Sequence, residues 1–359
     1  MKEWHGFSGT QVRGRSDKLG LMRGADSRWR RWTIGKTLGA LGWTVVMSMS
    51  FLGGNAMADP LIIAHRGASG YLPDHTLAAY RLAIEQGADV IEPDLVATRD
   101  GVLVARHENE IGGTTDVADK FPERKTTKTV DGRSQTGWFT EDFTLEELKT
   151  LRATQPLAFR PQDHNGRYPV ATFAEILGLV SEVERGSGRR VAIEPEIKHP
   201  SYFREIGLPL EEPLVTALQS AGYRDASAPV FIQCFEEASL RRLDGLTDVR
   251  LLLLVADAGE RWLTPPGMKE LSAFAEGLGV HKEHLIPKVD GRWQTPNEVV
   301  AHAHAQGLVV HVYTFRDEAR YLAENDAGDP RAELRRFMAL GIDGVFTDFP
   351  DTALSARSP

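Results

Sequence analysis

From Pro60 onward, short apolar runs alternate with segments of helical periodicity, and this alternation constrains the fold more than any other feature of the chain. It is typical of parallel strands joined by crossover helices. Apolar residues recur at three- and four-residue steps in five predicted helices, at 75–87, 172–185, 213–221, 297–306 and 330–340. The predicted strands lie at 61–65, 90–96, 102–107, 190–198, 230–235, 250–255, 284–289, 308–315 and 344–348.

Nine predicted strands are one more than an eight-stranded barrel needs. The connection 97–101 is too short for a parallel crossover, so the strands on either side of it are predicted to form a hairpin. The region 109–165 is rich in Gly, Thr, Lys and Asp and shows no clear period before Leu145, so we expect an insertion on one face of the barrel. The predicted fold class is therefore α/β, a TIM (β/α)8 barrel with an inserted loop-rich subdomain at 109–165.

The first 58 residues differ in charge from the rest of the chain. They hold nine basic and three acidic side chains, whereas the remaining 301 residues hold 33 basic and 47 acidic ones, a net charge of −14. This charge repels nucleic acid and anionic membrane surfaces, so we expect no nucleic-acid partner. The single cysteine, Cys234, excludes an intramolecular disulfide and a multi-cysteine zinc site.

The N-terminal segment has the pattern of an export signal. Basic residues precede an apolar run at 38–53, and Ala-Met-Ala at 56–58 then places small residues where a signal peptidase reads them. Residues 1–58 are predicted to be a signal peptide cleaved after Ala58. The domain at 59–359 would then be periplasmic or secreted, with no stable membrane association. The alternatives are a later start at Met22, a twin-arginine signal at Arg30-Arg31, and an uncleaved membrane anchor.

Two predicted strands carry acidic residues on one face. Glu92 and Asp94 are two residues apart, and Glu194, Glu196 and Lys198 repeat the arrangement. Burying such acids as ions is costly unless a cation compensates, and clustered carboxylates bind hard divalent cations such as Ca²⁺ or Mg²⁺. One such pair alone would more often be rim acids paired with Arg or Lys. Two pairs ending two strands favour a metal site built from the first pair and one glutamate of the second.

Two histidines end predicted strands. His65 closes the first strand and His107 closes another. Since histidine titrates near neutral pH, the two could act as general acid and general base beside a metal. Arg66 and Gly67 come directly after His65. The Arg66 guanidinium is suited to bidentate contact with a phosphate, and Gly67 lets the backbone approach a ligand closely. A small-molecule phosphate ester is the predicted substrate.

Several separated blocks of the sequence resemble the glycerophosphodiester phosphodiesterase family. They are His-Arg-Gly-Ala at 65–68 with Leu-Pro-Asp-His-Thr at 72–76, Glu-Pro-Asp at 92–94, His107, Glu-Ile-Lys at 196–198 and Gly-Val-Phe-Thr-Asp-Phe-Pro at 344–350. The chain resembles the periplasmic form most, because Asp-Phe-Thr-Leu at 142–145 and Tyr-Thr-Phe at 313–315 also match. The resemblance covers residues 61–351, and ordered agreement of this kind is specific where His-Arg-Gly alone would not be.

The resemblance implies a TIM barrel that holds one divalent cation, with Ca²⁺ favoured over Mg²⁺. It implies hydrolysis of glycerophosphodiesters, such as glycerophosphocholine and glycerophosphoethanolamine, to glycerol 3-phosphate and an alcohol. Carried over residue by residue, the metal ligands are Glu92, Asp94 and Glu196, the acid–base pair is His65 and His107, and the residues that neutralise phosphate charge are Arg66 and Lys198. The alternative for the third ligand is Glu194.

Four more residues are predicted to line the substrate pocket. Gln233 and Phe235 end one strand, for which packing is the alternative role, and Tyr313 and Phe315 share a face of another strand, where they would contact glycerol or the leaving alcohol. Two rival functions are a phospholipase D-like barrel enzyme acting on intact lipids and a non-enzymatic envelope binding protein. The acidic charge disfavours the first, and the presence of both histidines and all three carboxylates disfavours the second.

Overall fold

A computed structural model describes residues 59–357, and within them eight parallel strands close into a barrel. Each strand pairs with the next along the chain, and β8 pairs with β1 to complete the ring. The TIM-barrel prediction is therefore confirmed. The predicted signal segment lies outside the described residues. The barrel strands are β1 (Leu61–His65), β2 (Val90–Glu92 and Asp94–Ala97), β3 (Ala192–Ile193 and Glu196–Ile197), β4 (Phe231–Cys234), β5 (Arg250–Val255), β6 (Gly277–His281), β7 (Val309–Phe315) and β8 (Gly344–Thr347).

Two of these strands are interrupted by proline. Pro93 divides β2 and Pro195 divides β3, because proline has no N–H to donate to the ladder. The interruptions are in register, since Val90 lies opposite Ala192 before the break and Asp94 lies opposite Glu196 after it. The acidic residues that flank the two prolines are thereby brought side by side.

Helices cover the outside of the barrel, and each of the five predicted helices is found within a few residues of its predicted bounds. Apolar outer-face residues such as Ile91 and Leu253 join Tyr80 and Phe337 of the helices in one buried cluster. No helix within residues 59–357 has the length and apolar character needed to cross a membrane. The α-helices span Leu77–Glu85, Val117–Lys120, Leu145–Thr150, Phe173–Ser187, Pro200–Glu205, Glu211–Ser220, Glu237–Asp244, Pro265–Leu271, Val299–Ala305, Pro330–Met338 and Pro350–Arg357.

The segment after β2 leaves the barrel. A short strand, Leu103–Ala105, runs antiparallel to β2, which confirms the predicted hairpin. Farther along, the antiparallel strands Thr126–Val130 and Arg133–Gly137 form a second hairpin, which we call the inserted hairpin. Its two-residue turn is Asp131-Gly132, with φ values of 47° and 75°, the left-handed conformation that such tight turns require.

One predicted strand is wrong. Residues 284–289 do not form a barrel strand; Lys282–His284 is a 3₁₀ turn and Lys288–Val289 belongs to a small hairpin. The barrel strand at this point is β6, whose Gly277 and Gly279 weaken its strand signal in the sequence. The glycines are required by close packing, since a Cβ at Gly279 would lie 2.4 Å from the Leu254 side chain.

Candidate active site

Three buried carboxylates meet at the mouth of the barrel. Glu92, Asp94 and Glu196 each offer an oxygen within 4.8 Å of the others. Their side chains converge because Asp94 lies directly opposite Glu196 in the β2–β3 ladder and Glu92 lies across the proline break. The sequence-predicted ligand set is thus one cluster, whereas Glu194 lies apart from it and accepts a hydrogen bond from His311 Nδ1 at 2.9 Å.

The three acids differ strongly in proton affinity. Burial, together with the charges of Asp94 and Glu196, raises the pKa of Glu92 well above its usual value. Burial also raises the pKa of Glu196, to about 8, although Lys198 opposes the shift. At Asp94 burial is outweighed by the hydrogen bond from His75 and the charge of Lys198, which hold the pKa well below its usual value. Without a cation, the cluster therefore resists full ionisation.

Donors surround the cluster. The backbone N–H of Arg66 and the side-chain amide of Gln233 each donate to Glu92 at 2.9 Å. His75 Nε2 lies 2.9 Å from Asp94 Oδ2, and Lys198 Nζ lies 2.8 Å from Glu196 Oε1. His75 lies within the Leu-Pro-Asp-His-Thr block at 72–76 that resembles the family, but its contact with Asp94 is visible only in the structure.

Both predicted acid–base histidines line the same cavity, each fixed by a carboxylate. His65 Nδ1 lies 2.6 Å from Asp348 Oδ1, and His107 Nδ1 lies 2.9 Å from Glu108 Oε1. The outer nitrogens accept from cations: Arg66 Nε lies 3.2 Å from His65 Nε2, and Lys198 Nζ lies 3.3 Å from His107 Nε2. These partners assign the ring proton to Nδ1 and the lone pair to Nε2 in both residues.

Both histidines are neutral at pH 7 in this arrangement. Burial, and then the charge of Arg66, lowers the pKa of His65 to about 4 against the opposing effect of Asp348. Burial, Arg66 and Lys198 lower the pKa of His107 to about 4. Each ring is therefore able to accept a proton at Nε2.

The cavity at the barrel mouth, which we call the central cavity, has a volume of about 250 Å³. Arg66 and Lys198 supply positive charge beside the carboxylate cluster, and Phe235 and Tyr313 supply aromatic surface. Most of the sequence-predicted site residues line it: His65, Arg66, Glu92, His107, Glu196, Lys198, Gln233, Phe235 and Tyr313.

Phe315 does not line the central cavity. It is 1% exposed and packs edge-to-face on Phe337 at a centroid distance of 5.3 Å. The pairing of β7 with β8 shifts in register between Val312 and Phe315, so the simple alternation that would have placed Tyr313 and Phe315 on one face does not hold there. The predicted substrate contact for Phe315 is corrected to a packing role.

The structure adds Asp348, for which the sequence indicated no role. Its Oδ1 contacts His65, and its Oδ2 accepts from Arg160 Nη2 at 2.6 Å and Arg316 Nε at 2.9 Å. Although burial opposes it, the contacts with His65, Arg316 and Arg160 hold the pKa of Asp348 well below its usual value. Asp348 is thus a charged anchor behind His65.

Comparison with known proteins identifies a family to which this chain is similar. Residues 65–352 match the model of the glycerophosphoryl diester phosphodiesterase family. The chain is 38% identical over 317 residues to the glycerophosphodiester phosphodiesterase GDPD6 of Arabidopsis thaliana, covering 81% of this chain and 84% of the relative. It is 33% identical over 339 residues to a glycerophosphodiester phosphodiesterase of Haemophilus influenzae, covering 83% and 89%.

Solved structures show the same fold. A glycerophosphodiester phosphodiesterase from Agrobacterium tumefaciens superposes with a TM-score of 0.56 at 19% identity, covering 82% of this chain and 99% of that one. A phosphodiesterase from Oleispira antarctica, in complex with the product sn-glycerol-3-phosphate, superposes with a TM-score of 0.58 at 21% identity, covering 84% and 97%.

Proposed function

We propose how this chain, which belongs to the glycerophosphoryl diester phosphodiesterase family, carries out its reaction. It is an enzyme that hydrolyses glycerophosphodiesters to glycerol 3-phosphate and an alcohol. One observation carries the mechanism, namely that two neutral histidines present their Nε2 atoms to one cavity beside a cluster of buried carboxylates.

Glu92, Asp94 and Glu196 would hold a single divalent cation. The donor set fits such an ion, because it consists of carboxylate oxygens and the cluster resists full ionisation without a compensating charge. The carbonyl oxygen of Gln233 supports the assignment, since it is buried and has no hydrogen-bond partner among the described residues. We propose Ca²⁺ over Mg²⁺ on the resemblance to the periplasmic form and on the flexible oxygen coordination that Ca²⁺ accepts.

A bound cation would polarise the phosphate oxygens and help to stabilise the negative charge that develops on them. The chain's own residues do the rest. Arg66 and Lys198 offset the charge of the phosphate from two sides of the central cavity. One histidine takes the proton of the attacking hydroxyl or water at Nε2. The other, which is neutral at pH 7, first takes a proton from solvent at Nε2 and then donates it to the departing alkoxide.

The attacking group is left as two alternatives, water or the neighbouring glycerol hydroxyl, which would give a cyclic phosphate. A diester without that hydroxyl distinguishes them. Hydrolysis of such a diester at a comparable rate would exclude the cyclic route.

Metal dependence is tested by the release of glycerol 3-phosphate from glycerophosphocholine. We expect EDTA to abolish release, Ca²⁺ to restore it better than Mg²⁺, and metal analysis of the purified protein to find one ion per chain. Intact phosphatidylcholine should not react; its hydrolysis would favour the phospholipase D-like alternative. Full activity after exhaustive chelation would overturn the metal assignment.

We also propose that the protein is exported and acts in the periplasm or outside the cell. The support is the basic and apolar pattern before Ala56-Met57-Ala58. Cell fractionation with N-terminal sequencing tests this proposal: we expect a mature chain that begins at Asp59. A full-length chain in the cytoplasm would contradict it.

A further inference from the structure

A second cavity adjoins the central one. Its volume is about 450 Å³, and it shares Glu196, Lys198 and Phe235 with the central cavity. Asp131 of the inserted hairpin and Glu236, which precedes the helix Glu237–Asp244, form part of its outer wall. We call it the outer cavity. It is larger than the central cavity, and the three shared residues place the two cavities next to each other.

A phosphodiester has two arms, and both leave the same phosphorus atom. When the phosphate lies between Arg66 and Lys198, one arm occupies the central cavity and the other must leave it past one of its walls. The outer cavity borders the central cavity at Lys198 and Phe235. It is therefore positioned to receive the second arm of the substrate.

The outer cavity carries more acid than base. Glu196 and Lys198 pair with each other, which leaves the carboxylates of Glu108, Asp131 and Glu236 against Arg133 and His199. His199 bridges two of these acids, with Nε2 2.9 Å from Glu108 and Nδ1 2.5 Å from Asp131. The side chains of Glu108 and Asp131 are nevertheless 42% and 48% exposed, and both residues line the cavity.

Phe235 adds an aromatic surface at the junction of the two cavities. It is 41% exposed, and the Lys198 ammonium already lies 5.6 Å from its ring centroid. An aromatic ring beside carboxylates is a favourable environment for an organic ammonium group.

A third cavity, of about 210 Å³, lies on the far side of His65 and has the opposite character. Arg66, Arg160 and Arg316 line it, and both carboxylates in its wall are already paired. Asp348 is bonded to His65, Arg160 and Arg316, and Asp74 lies 3.7 Å from Arg66 and 3.4 Å from Arg106. A cationic arm would be repelled there. The charge difference between the two side cavities assigns a cationic arm to the outer one.

We propose that the outer cavity is the binding site for the alcohol arm of the substrate and that it favours alcohols carrying an ammonium group, such as choline or ethanolamine. The proposal rests on the proposed function above. Recognition comes from the Phe235 ring and from the acidic groups that the inserted hairpin and Glu236 place around it.

The test compares kcat/KM for glycerophosphocholine with kcat/KM for glycerophosphoglycerol, whose second alcohol is uncharged. We expect the wild type to prefer the choline ester. Glu236→Gln should lower the preference by about three- to tenfold, as expected for loss of one partly screened charge near an ammonium. Arg133→Gln removes a positive charge from the same cavity and should raise the preference.

Glu237→Gln is the matched control, because Glu237 is the next residue and pairs with Arg241 and Arg261 rather than lining the cavity. It should leave the ratio unchanged. If Glu236→Gln does not fold, Arg133→Gln on the inserted hairpin tests the same charge effect alone. Equal ratios in the wild type and both cavity variants, with good activity on both esters, would overturn this inference only. No activity of the wild type on any glycerophosphodiester would overturn the proposed function as well.

Discussion

Replacement of Asp348 by asparagine tests how His65 is held ready to accept a proton. In the native protein one carboxylate oxygen lies 2.6 Å from His65 Nδ1, and the other accepts from Arg160 and Arg316. Asparagine has only one oxygen. The two guanidinium groups can only donate, so they will orient that oxygen toward themselves and turn the amide NH₂ toward His65. The ring must then accept at Nδ1 and carry its proton on Nε2, where it can no longer accept one.

The size of the effect follows from the bond that is lost. A hydrogen bond to a charged group contributes about 1.5–3 kcal/mol. At about 1.4 kcal/mol per factor of ten, the expected fall in kcat is about 10- to 150-fold. KM should change much less, because Arg66 and Lys198 remain in place to hold the phosphate.

The assay is steady-state release of glycerol 3-phosphate, measured across pH, beside thermal unfolding of each variant. Asp351→Asn is the control, since Asp351 is an acid three residues later that bonds Tyr71 at the surface and should leave kcat unchanged. Because a purely structural loss would lower Tm without changing the shape of the pH profile, a changed profile in a folded Asp348→Asn protein supports the positioning role. A kcat within threefold of the wild type would refute it.

Three further predictions concern stability. Ca²⁺ at about 100 times its Kd should stabilise the wild type by about 2.7 kcal/mol, which would be measured as a higher Tm. Glu92→Gln should remove most of this gain, and an equal gain in both proteins would contradict the assignment of Glu92 as a ligand. Burial, opposed by the Thr352 hydrogen bond, raises the pKa of Asp317 to about 6, so the folded state binds more protons than the unfolded state between about pH 4 and 6 and loses stability as pH rises through this range. Asp317→Asn should therefore stabilise the protein above pH 6, by about 1 kcal/mol or less because the group is partly solvated, and urea titrations at pH 4 and pH 8 should show the gain only at pH 8. Gly279→Ala should cost about 1–3 kcal/mol through overpacking, because its Cβ would lie 2.4 Å from a Leu254 methyl group, whereas Gly113→Ala, which meets open space, should be nearly neutral.

Barrel strands were predictable where they consist of apolar and β-branched residues that are typical of buried strands. β5 consists mostly of leucines and β7 of valines and aromatic residues, so their patterns identified them. β6 was not predicted because Leu254 occupies the space that a side chain at position 279 would need, so only glycine fits there. Glycine gives no strand signal in the sequence. The need for glycine comes from a neighbouring strand, which local periodicity does not report.

Some residues of the candidate site were predictable from the sequence and others were not. Acids at alternate positions of two strands predicted the convergence of Glu92, Asp94 and Glu196, because parallel neighbouring strands bring such residues together. Phe315 failed because an irregularity between β7 and β8 breaks the alternation on which its assignment depended. Asp348 stands in the block at 344–350 that resembles the family, but its role could not be predicted because its partners His65 and Arg160 are 283 and 188 residues away in the chain.

The two histidines proposed as the acid–base pair are held in the same way, which the sequence did not indicate. His65 rests on Asp348, whose other oxygen is held by Arg160 from the inserted region 109–165. In this arrangement the insertion reaches His65 through one carboxylate and one guanidinium.

His107 is held by a carboxylate in the same way as His65. His107 rests on one oxygen of Glu108, the other oxygen contacts His199, and His199 in turn contacts Asp131 of the inserted hairpin. In each case a carboxylate fixes Nδ1 and is itself held by Arg160 or by His199, which keeps the ring proton on Nδ1 and the lone pair on Nε2. Arg160 and Asp131, which both lie between β2 and β3, therefore help to hold the proposed proton-transfer groups in position, Arg160 through Asp348 and Asp131 through His199 and Glu108.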